Sequence, residues 1–224
     1  MKAMILAAGE GSRMRPLTNH TPKPLLKVGG KSLIVWQIEK LKQAGFTEII
    51  INIAWLAEQI PAALGNGSQW GVTLHYSNEQ DEGALETAGG IVKALRLLGE
   101  QPFLVINADV WCEFDYSSLR HTLKAQDLAH LVMVNNPAHN PSGDFALKQQ
   151  RLFKTGTPQY TFSGIGLYHP QLFSQLSYGR QALAPLLYQA MDKQQLSGEL
   201  YQGDWHDIGT PERLQQLDLK LQHA

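Results

Sequence analysis

A glycine-rich, basic loop near the N-terminus has the residue types that bind phosphate groups. It spans residues 9–16, directly after a short apolar run, and is followed by Lys23, which lies between two prolines. Glycines let backbone N–H groups approach phosphate oxygens. Arg13 offers a planar guanidinium and Lys23 a point charge. The stretch predicts a site for phosphate, the alternative being a solvated loop that is merely basic.

Two common phosphate motifs do not fit this loop. The dinucleotide fingerprint requires a third glycine where the chain has Met14. Residues 30–32 read like the end of a P-loop, but the position of its first glycine is occupied by Leu25. What remains is a glycine-rich loop with two arginines, followed by the lysine between prolines.

Two aspartates follow short apolar segments that are far apart in the chain. Asp109 comes after the apolar run 103–107, and Asp207 ends a second short segment. A carboxylate at the carboxyl end of a strand lies over the ligand site of an α/β protein and can hold Mg²⁺, which takes oxygen ligands. Taken alone, each aspartate fits an ordinary turn or helix cap better. Two of them on one crevice would favour a metal site.

Other polar segments are less specific. Residues 87–90 could pack against a base or a sugar, or form a tight helix start. Gly143 and Asp144 could bind sugar hydroxyls, although a simple turn fits them better. The eight histidines show no metal-ligand spacing, and no Ser-His-Asp arrangement is evident.

These residues depend on alternating strands and helices for their positions. Short apolar runs alternate with amphipathic helical patterns, which predicts βαβ units, a largely parallel sheet and ligands at the carboxyl ends of its strands. The predicted strands are Ala3–Ala8, Glu48–Asn52, Val72–Tyr76, Phe103–Asn107, Leu131–Val134 and Tyr160–Tyr168. The predicted helices run from Leu33 to Ala44, from a cap at Thr87 to Gly99, from a cap at Asp115 through Leu123, and onward from a cap at Thr210.

The length allows one large domain or two small ones, and the lack of an internal repeat, a low-complexity tract or a Pro/Gly/Ser linker favours one domain over residues 1–224. The chain has 43% hydrophobic and 17% charged residues, which excludes a disordered protein. One cysteine, Cys112, excludes an internal disulfide and favours a reduced, cytoplasmic protein. No apolar run approaches about 18 residues, so no membrane span is expected.

Charge is distributed unevenly along the chain. Residues 1–31 carry six basic side chains against Glu10 alone, whereas the formal net charge of the whole chain is −1. A basic segment in a mildly acidic protein suggests a local anion site. It does not suggest nucleic-acid binding, which needs an extended basic surface.

At these motifs the chain resembles the sugar-1-phosphate nucleotidylyltransferases over nearly its whole length. Within that family it is most similar to the short bacterial uridylyltransferases that act on N-acetylmuramate α-1-phosphate in peptidoglycan recycling. The motifs that carry the resemblance are LAAGEGSRMRPLT at residues 6–18, PKPL at 22–25, NADVW at 107–111, FSGIG at 162–166 and DIGT at 207–210.

The resemblance implies a fold, substrates and site residues. The expected fold is a Rossmann-like, mixed and mostly parallel sheet flanked by helices, that of the nucleotide-diphospho-sugar transferases. The expected partners are UTP and a sugar 1-phosphate, with Mg²⁺ as cofactor, in a monomer or weak homo-oligomer. Ala108 departs from the family, whose members commonly have glycine there, and its methyl group could narrow the site. The resemblance implies nucleotide binding by Ala8, Gly9, Gly11, Ser12, Arg13, Lys23 and Gly83, and a catalytic role for Arg13 and Lys23. It implies sugar binding by Asn107, Asp144 and Asp207. The implied metal ligands are Asp109 and Asp207.

Other activities remain compatible with the motifs. Another sugar 1-phosphate could react with GTP or dTTP, or phosphocholine with CTP. A nucleotide-sugar-binding regulator without catalysis is a further alternative. The joint presence of Arg13, Lys23, Asp109 and Asp207 argues against the regulator.

Overall fold

The computed structural model describes residues 1–222 of the chain. Over this range the chain forms thirteen β-strands and five α-helices. None of these helices is long and apolar enough to cross a membrane. In chain order the elements are β1 (Ala3–Leu6), β2 (Lys27–Val28), β3 (Lys31–Ser32), α1 (Leu33–Gln43), β4 (Glu48–Ile53), α2 (Gln59–Leu64), β5 (Thr73–Asn78), α3 (Glu86–Leu98), β6 (Phe103–Asn107), β7 (Val110–Cys112), β8 (Ala129–Val134), β9 (Phe145–Lys148), β10 (Arg151–Phe153), β11 (Gln159–Tyr168), α4 (Ala184–Asp192), β12 (Leu196–Tyr201), β13 (Trp205–Asp207) and α5 (Pro211–Gln222).

Nine strands form one mixed sheet in the order β5-β4-β1-β6-β11-β8-β12-β10-β9. The expectation of a mixed α/β protein is confirmed, but the expectation of a mostly parallel sheet is wrong. Parallel pairing is confined to β5-β4-β1-β6 and to β8-β12, and the remaining neighbours are antiparallel. For one of these pairs the reason lies in the connection, because β9 and β10 are joined directly through Gln149 and Gln150, both at positive φ. Such a hairpin turn needs no crossover helix and makes the strands antiparallel.

The site-bearing edge of the sheet is set by the register of β4, β1 and β6. Leu6 at the end of β1 lies opposite Asn52 on one side and Asn107 on the other. The two asparagines therefore stand at the level of Leu6, one on each side of it, where β1 and β6 end and β4 continues by one residue. Strand β11 runs antiparallel to β6, with Ile165 opposite Ile106, and so brings Gly164 to the same edge.

Both faces of the sheet are buried. Ala3 and Ile5 of β1 pack into a cluster with Ile34 and Ile38 of α1, whereas Met4 packs into the opposite cluster beneath α3 and α4. Strands covered on both faces read as continuous apolar runs, which is why the sequence made β1, β4 and β6 easy to place.

A third apolar cluster joins the glycine-rich loop to the C-terminal helix. Met14 is fully buried against Trp111, Ile208 and Leu217, the last of which lies on α5. The residue that breaks the dinucleotide fingerprint is thus the anchor of the loop. Helix α5 is further held by the Gly29 amide, which donates to a carboxylate oxygen of Asp218 at 2.7 Å.

Two predicted helix starts have different outcomes. Asp115 accepts a hydrogen bond from the Ser117 amide at 2.9 Å, as a cap should, but the helix is a 3-10 turn over Tyr116–His121 that stops before Leu123. The cap predicted at Thr87 is wrong, because α3 already begins at Glu86. Its free amides are bonded instead by a carbonyl from a distant loop, described below.

A buried hydrogen-bond chain links β1 to the segment before α3. The Ala7 amide donates to Asn52 Oδ1 at 2.8 Å, and Asn52 Nδ2 donates to Glu79 Oε1 at 2.8 Å. Glu79 also accepts from the Leu85 amide at 3.0 Å. Burial raises the pKa of the Glu79 carboxyl, and these bonds partly offset the cost of burying it.

Gly90→Ala should destabilise the protein. In an unobstructed helix this change stabilises by about 1 kcal/mol. Here a Cβ at Gly90 would lie 2.7 Å from Glu79 Oε1 and 2.9 Å from Asn52 Nδ2. We expect the free energy of unfolding, measured by urea titration, to fall by about 1–2 kcal/mol net. The exposed Arg96→Ala on the same helix is the control, expected within about 0.5 kcal/mol of wild type. A Gly90→Ala variant at least as stable as wild type would contradict the packing.

Candidate active site

Two adjoining cavities open at the carboxyl ends of the parallel strands. The first, about 310 Å³, is called the loop cavity; the second, about 710 Å³, the wide cavity. Leu6, Thr87 and Asn107 line both, so the two form one crevice. The loop cavity is also lined by Ala7, Gly9, Gly11, Ser12, Arg13, Met14, Lys23, Pro24, Ala108, Asp109 and Gly209. The wide cavity is also lined by Glu86, Val105, Gly143, Asp144, Phe145, Phe162, Gly164, Tyr168, Ala182, Leu183, Ala184, Leu187 and Tyr188.

Gly9 and Gly11 of the glycine-rich loop differ in what a side chain at their positions would contact. Gly11 has a φ of +62°, and a Cβ on it would lie 3.0 Å from Thr18 Cγ2 and 3.1 Å from Lys23 Cβ. The Thr18 hydroxyl also donates to the Gly11 carbonyl at 2.8 Å. A Cβ on Gly9 would meet nothing within 4 Å. Protein packing therefore requires Gly11, whereas Gly9 leaves space on the cavity side.

The cations of the loop cavity differ in how they are neutralised. Lys23 lies in a 3-10 turn, and its Nζ is ion-paired with Asp109 Oδ2. The Lys23 side chain is 11% exposed and that of Asp109 28%. Arg13 is exposed and forms no ion pair within residues 1–222. The cavity thus offers one free guanidinium and one lysine whose charge is already balanced.

The backbone of Asp207 lies next to that of Asp109 in space, but the Asp207 side chain points away from the loop cavity. Strand β13 pairs with β7, and the Ile208 amide donates to the Asp109 carbonyl at 2.9 Å. The Asp207 carboxylate accepts from Arg213 Nη1 at 2.8 Å and lies 3.1 Å from His139 Nε2. These groups line a separate cavity of about 310 Å³. The structure therefore does not place both carboxylates on the loop cavity, and the two-aspartate metal site stays a prediction.

Asp109 nevertheless fits a magnesium ligand. Among residues 1–222 no cluster of three or more histidine, cysteine or acidic side chains could hold a metal by itself. Mg²⁺ is commonly bound by one or two carboxylates together with substrate phosphates. A partly exposed carboxylate beside a phosphate-type loop meets that requirement.

The polar groups of the wide cavity are held by the protein. Asp144 accepts from Asn140 Nδ2 at 3.1 Å and from the Phe162 amide at 2.7 Å. A Cβ on Gly164, whose φ is +80°, would lie 2.6 Å from Asn107 Nδ2, so glycine is needed to make room for the Asn107 side chain. Phe162 and Tyr188 add apolar surface.

The remaining predicted residues lie near the crevice with less contact. Ala8 is buried between Ala7 and Gly9, both of which line the loop cavity. Gly83 lies in the exposed segment before α3, outside the lining of either cavity, with a φ of +72° and open space around it. Ala108 lines the loop cavity next to Asp109 and is otherwise buried in the apolar core, and the narrowing of the site by its methyl group stays a prediction.

Sequence reasoning missed several polar residues around this crevice. Asn52 stands at the end of an apolar run, just as Asn107 does, and this parallel could have revealed it. Glu79 and Glu86 carry no such signal, because their partners come from distant segments.

The chain belongs to the nucleotidyl transferase family, whose sequence profile matches residues 2–223. This confirms the resemblance carried by the motifs. More particularly, the chain is 52% identical to the N-acetylmuramate alpha-1-phosphate uridylyltransferase of Neisseria meningitidis serogroup B, over 96% of each chain. It is 30% identical to a protein of the same name from Caulobacter vibrioides, over 99% of this chain and 97% of that one.

One solved structure shares the architecture, and a further relative matches in sequence. A putative glucose-1-phosphate thymidylyltransferase from Bacillus anthracis, solved in complex with a sucrose, superposes with a TM-score of 0.88 at 25% identity. The match covers 100% of this chain and 96% of that one. A mannose-1-phosphate guanyltransferase of Schizosaccharomyces pombe is 30% identical over 94% of this chain, which spans 61% of that protein.

Lys23→Ala should lower turnover by roughly two to three orders of magnitude, the effect of removing one charge-stabilising donor. Initial rates of pyrophosphate release at saturating substrates measure it, with circular dichroism to confirm the fold. Lys27→Ala, which removes a nearby exposed lysine, is the matched control. A folded Lys23→Ala enzyme within about threefold of wild type would exclude Lys23 from the reaction.

Proposed function

We propose that this chain transfers UMP from UTP to N-acetylmuramate α-1-phosphate, releasing pyrophosphate, in the cytoplasm and as one domain over residues 1–224. The observation that carries the proposal is the 52% identity, over nearly the full length of both chains, to the Neisseria protein of that name. The high structural similarity to a sugar-phosphate thymidylyltransferase supports the nucleotide-diphospho-sugar transferase fold.

The crevice suits two phosphate substrates that meet at one point. We assign the triphosphate of UTP to the loop cavity, where Gly9, Gly11 and Ser12 present their backbone, and the sugar to the wide cavity beside Asn107 and Asp144. The shared wall of the two cavities then brings the sugar phosphate to the α-phosphorus. Holding reactants in this geometry is itself a large part of catalysis.

The reaction needs no general base. A phosphate monoester has its second pKa near 6, so the attacking oxygen is already mostly deprotonated at neutral pH. This oxygen forms a bond to the α-phosphorus while the bond to the bridging oxygen breaks, and the electron pair leaves with pyrophosphate. Within residues 1–222 no histidine lines either cavity, which agrees with this chemistry.

Charge is the main obstacle, because one anion attacks another. Arg13, which has no competing ion pair within residues 1–222, would stabilise the triphosphate, and Lys23 would exchange part of its contact with Asp109 for phosphate oxygens. Asp109 and Asp207 would hold Mg²⁺, which when bound neutralises phosphate charge and orients the phosphates. Asp207 must first give up its contacts with Arg213 and His139.

A second candidate is transfer from GTP to a hexose 1-phosphate. The 30% identity to the Schizosaccharomyces pombe guanyltransferase favours it over the phosphocholine alternative. A panel of sugar 1-phosphates against four nucleoside triphosphates, with products identified by mass, decides between the candidates.

Asp109→Asn and Asp207→Asn should each abolish Mg²⁺-dependent activity. Asparagine keeps the shape of aspartate but not its charge, so it weakens the hold on a divalent cation. Activity is measured across a magnesium titration, with the exposed Asp192→Asn as control. If Asp207→Asn retains the magnesium response of wild type, Asp109 holds the ion without Asp207.

N-acetylmuramate 1-phosphate should be preferred over N-acetylglucosamine 1-phosphate with UTP. Shape and apolar contacts in the wide cavity alone would provide about 10–200-fold discrimination, and a charge-assisted contact to the lactyl carboxylate would add to it. The two sugar phosphates compete at equal concentration, and the product ratio is read by mass. A ratio near one, or one that favours the glucosamine, would refute the muramate assignment but not the nucleotidyl transfer.

A further inference from the structure

A loop over residues 177–183 forms one rim of the wide cavity. It is fixed to the start of α3, because the Gln181 amide donates to the Leu85 carbonyl and the Ala88 amide donates to the Gln181 carbonyl, both at 3.0 Å. A Cβ on Gly89 would lie 2.3 Å from the Gly179 carbonyl oxygen, so the helix and the loop are in close contact. This carbonyl cap replaces the one predicted at Thr87.

The residue that faces the cavity at this junction has an unusual backbone. Glu86 lines the wide cavity and has a φ of +61°, a region that residues with a Cβ rarely adopt. Such outliers persist where the surroundings impose them and are frequent at ligand sites. The Glu86 carboxylate accepts a hydrogen bond from Arg180 Nε at 2.8 Å, and Arg180 belongs to the loop.

The Arg180 guanidinium has most of its donors available. Nε is bonded to Glu86, whereas Nη1 and Nη2 have no hydrogen-bond partner within residues 1–222. The Arg180 side chain is 73% exposed. A planar fork of this kind binds a carboxylate through two parallel N–H···O bonds.

The wide cavity needs a cation if its ligand is acidic. Glu86 and Asp144 both line it, and no lysine, arginine or histidine of residues 1–222 does. The lactyl ether of N-acetylmuramate ends in a carboxylate, which N-acetylglucosamine lacks. Two protein carboxylates would repel this group unless a nearby positive charge compensates. Arg180, bonded to a residue of the cavity wall, is placed to do so.

We propose that Arg180, positioned by Glu86, binds the lactyl carboxylate and thereby distinguishes N-acetylmuramate 1-phosphate from N-acetylglucosamine 1-phosphate. This inference rests on the proposed function. Arg180 acts on specificity through binding, so its contribution is expected in the KM of the muramate substrate and not in kcat.

The test compares Arg180→Gln, Arg180→Lys and the control Arg96→Gln, which removes an exposed arginine from α3. For each variant, kcat and KM are measured with N-acetylmuramate 1-phosphate at saturating UTP. The inhibition constant of N-acetylglucosamine 1-phosphate is measured as a competitor, so that slow turnover of that sugar does not matter. Arg180→Gln should raise the KM for N-acetylmuramate 1-phosphate roughly tenfold, because it removes a charge-assisted hydrogen bond whose strength is reduced by solvent exposure. The KM of Arg180→Lys for N-acetylmuramate 1-phosphate should lie between those of wild type and Arg180→Gln. The inhibition constant of N-acetylglucosamine 1-phosphate should stay within about threefold of wild type in every variant.

Three results would overturn the inference. An unchanged muramate KM in Arg180→Gln means that the carboxylate lies in water. Equal losses for both sugars mean that the ion pair with Glu86 only supports the loop. If the wild-type enzyme does not use N-acetylmuramate 1-phosphate, the proposed function itself is wrong. The wild-type assay shows this before any variant is made.

Discussion

The buried chain of hydrogen bonds from Glu79 through Asn52 to the Ala7 amide fixes the point at which the first strand stops and the glycine-rich loop begins. A buried carboxylate is expensive, and this one is retained with two donors and a glycine helix face packed against it. Because the same carboxylate also accepts a hydrogen bond from the Leu85 amide, it fixes the position of the start of α3 relative to the end of β1. Glu79 therefore holds in place both the end of β1 beneath the loop cavity and the start of α3 beside the wide cavity.

Electrostatics divides the crevice into two parts. Of the six basic residues among the first 31, Arg13 and Lys23 line the loop cavity; within residues 1–222 Arg13 forms no ion pair, whereas Lys23 is paired with Asp109. The wide cavity carries carboxylates and aromatic surface. In the proposed function the triphosphate of UTP occupies the first part and the sugar the second, and the register of β1 and β6 makes the two parts adjoin at Asn107.

What the sequence could predict follows the range of the interactions. Apolar runs buried on both faces gave the first parallel strands nearly residue by residue, and Gly11, Lys23 and Asp109 were singled out because their chemistry is visible in their own segments. The antiparallel half was misjudged, since β9 and β10 are short and depend on partners that local patterns do not reveal. The direction of the Asp207 side chain depends on Arg213 and His139. The cap of α3 depends on the carbonyl of Gln181. No local pattern contains these contacts.

The burial of Met14 against α5 has a consequence for the work of the loop. A glycine-rich segment has many accessible conformations, and a ligand that had to order it would lose binding free energy at every cycle. Here the apolar contact with Ile208 and Leu217 removes that freedom when the chain folds. The glycine-rich loop is thus ordered before any ligand binds, as its proposed role in binding the triphosphate requires, and α5, remote from the first strand in sequence, keeps it ordered.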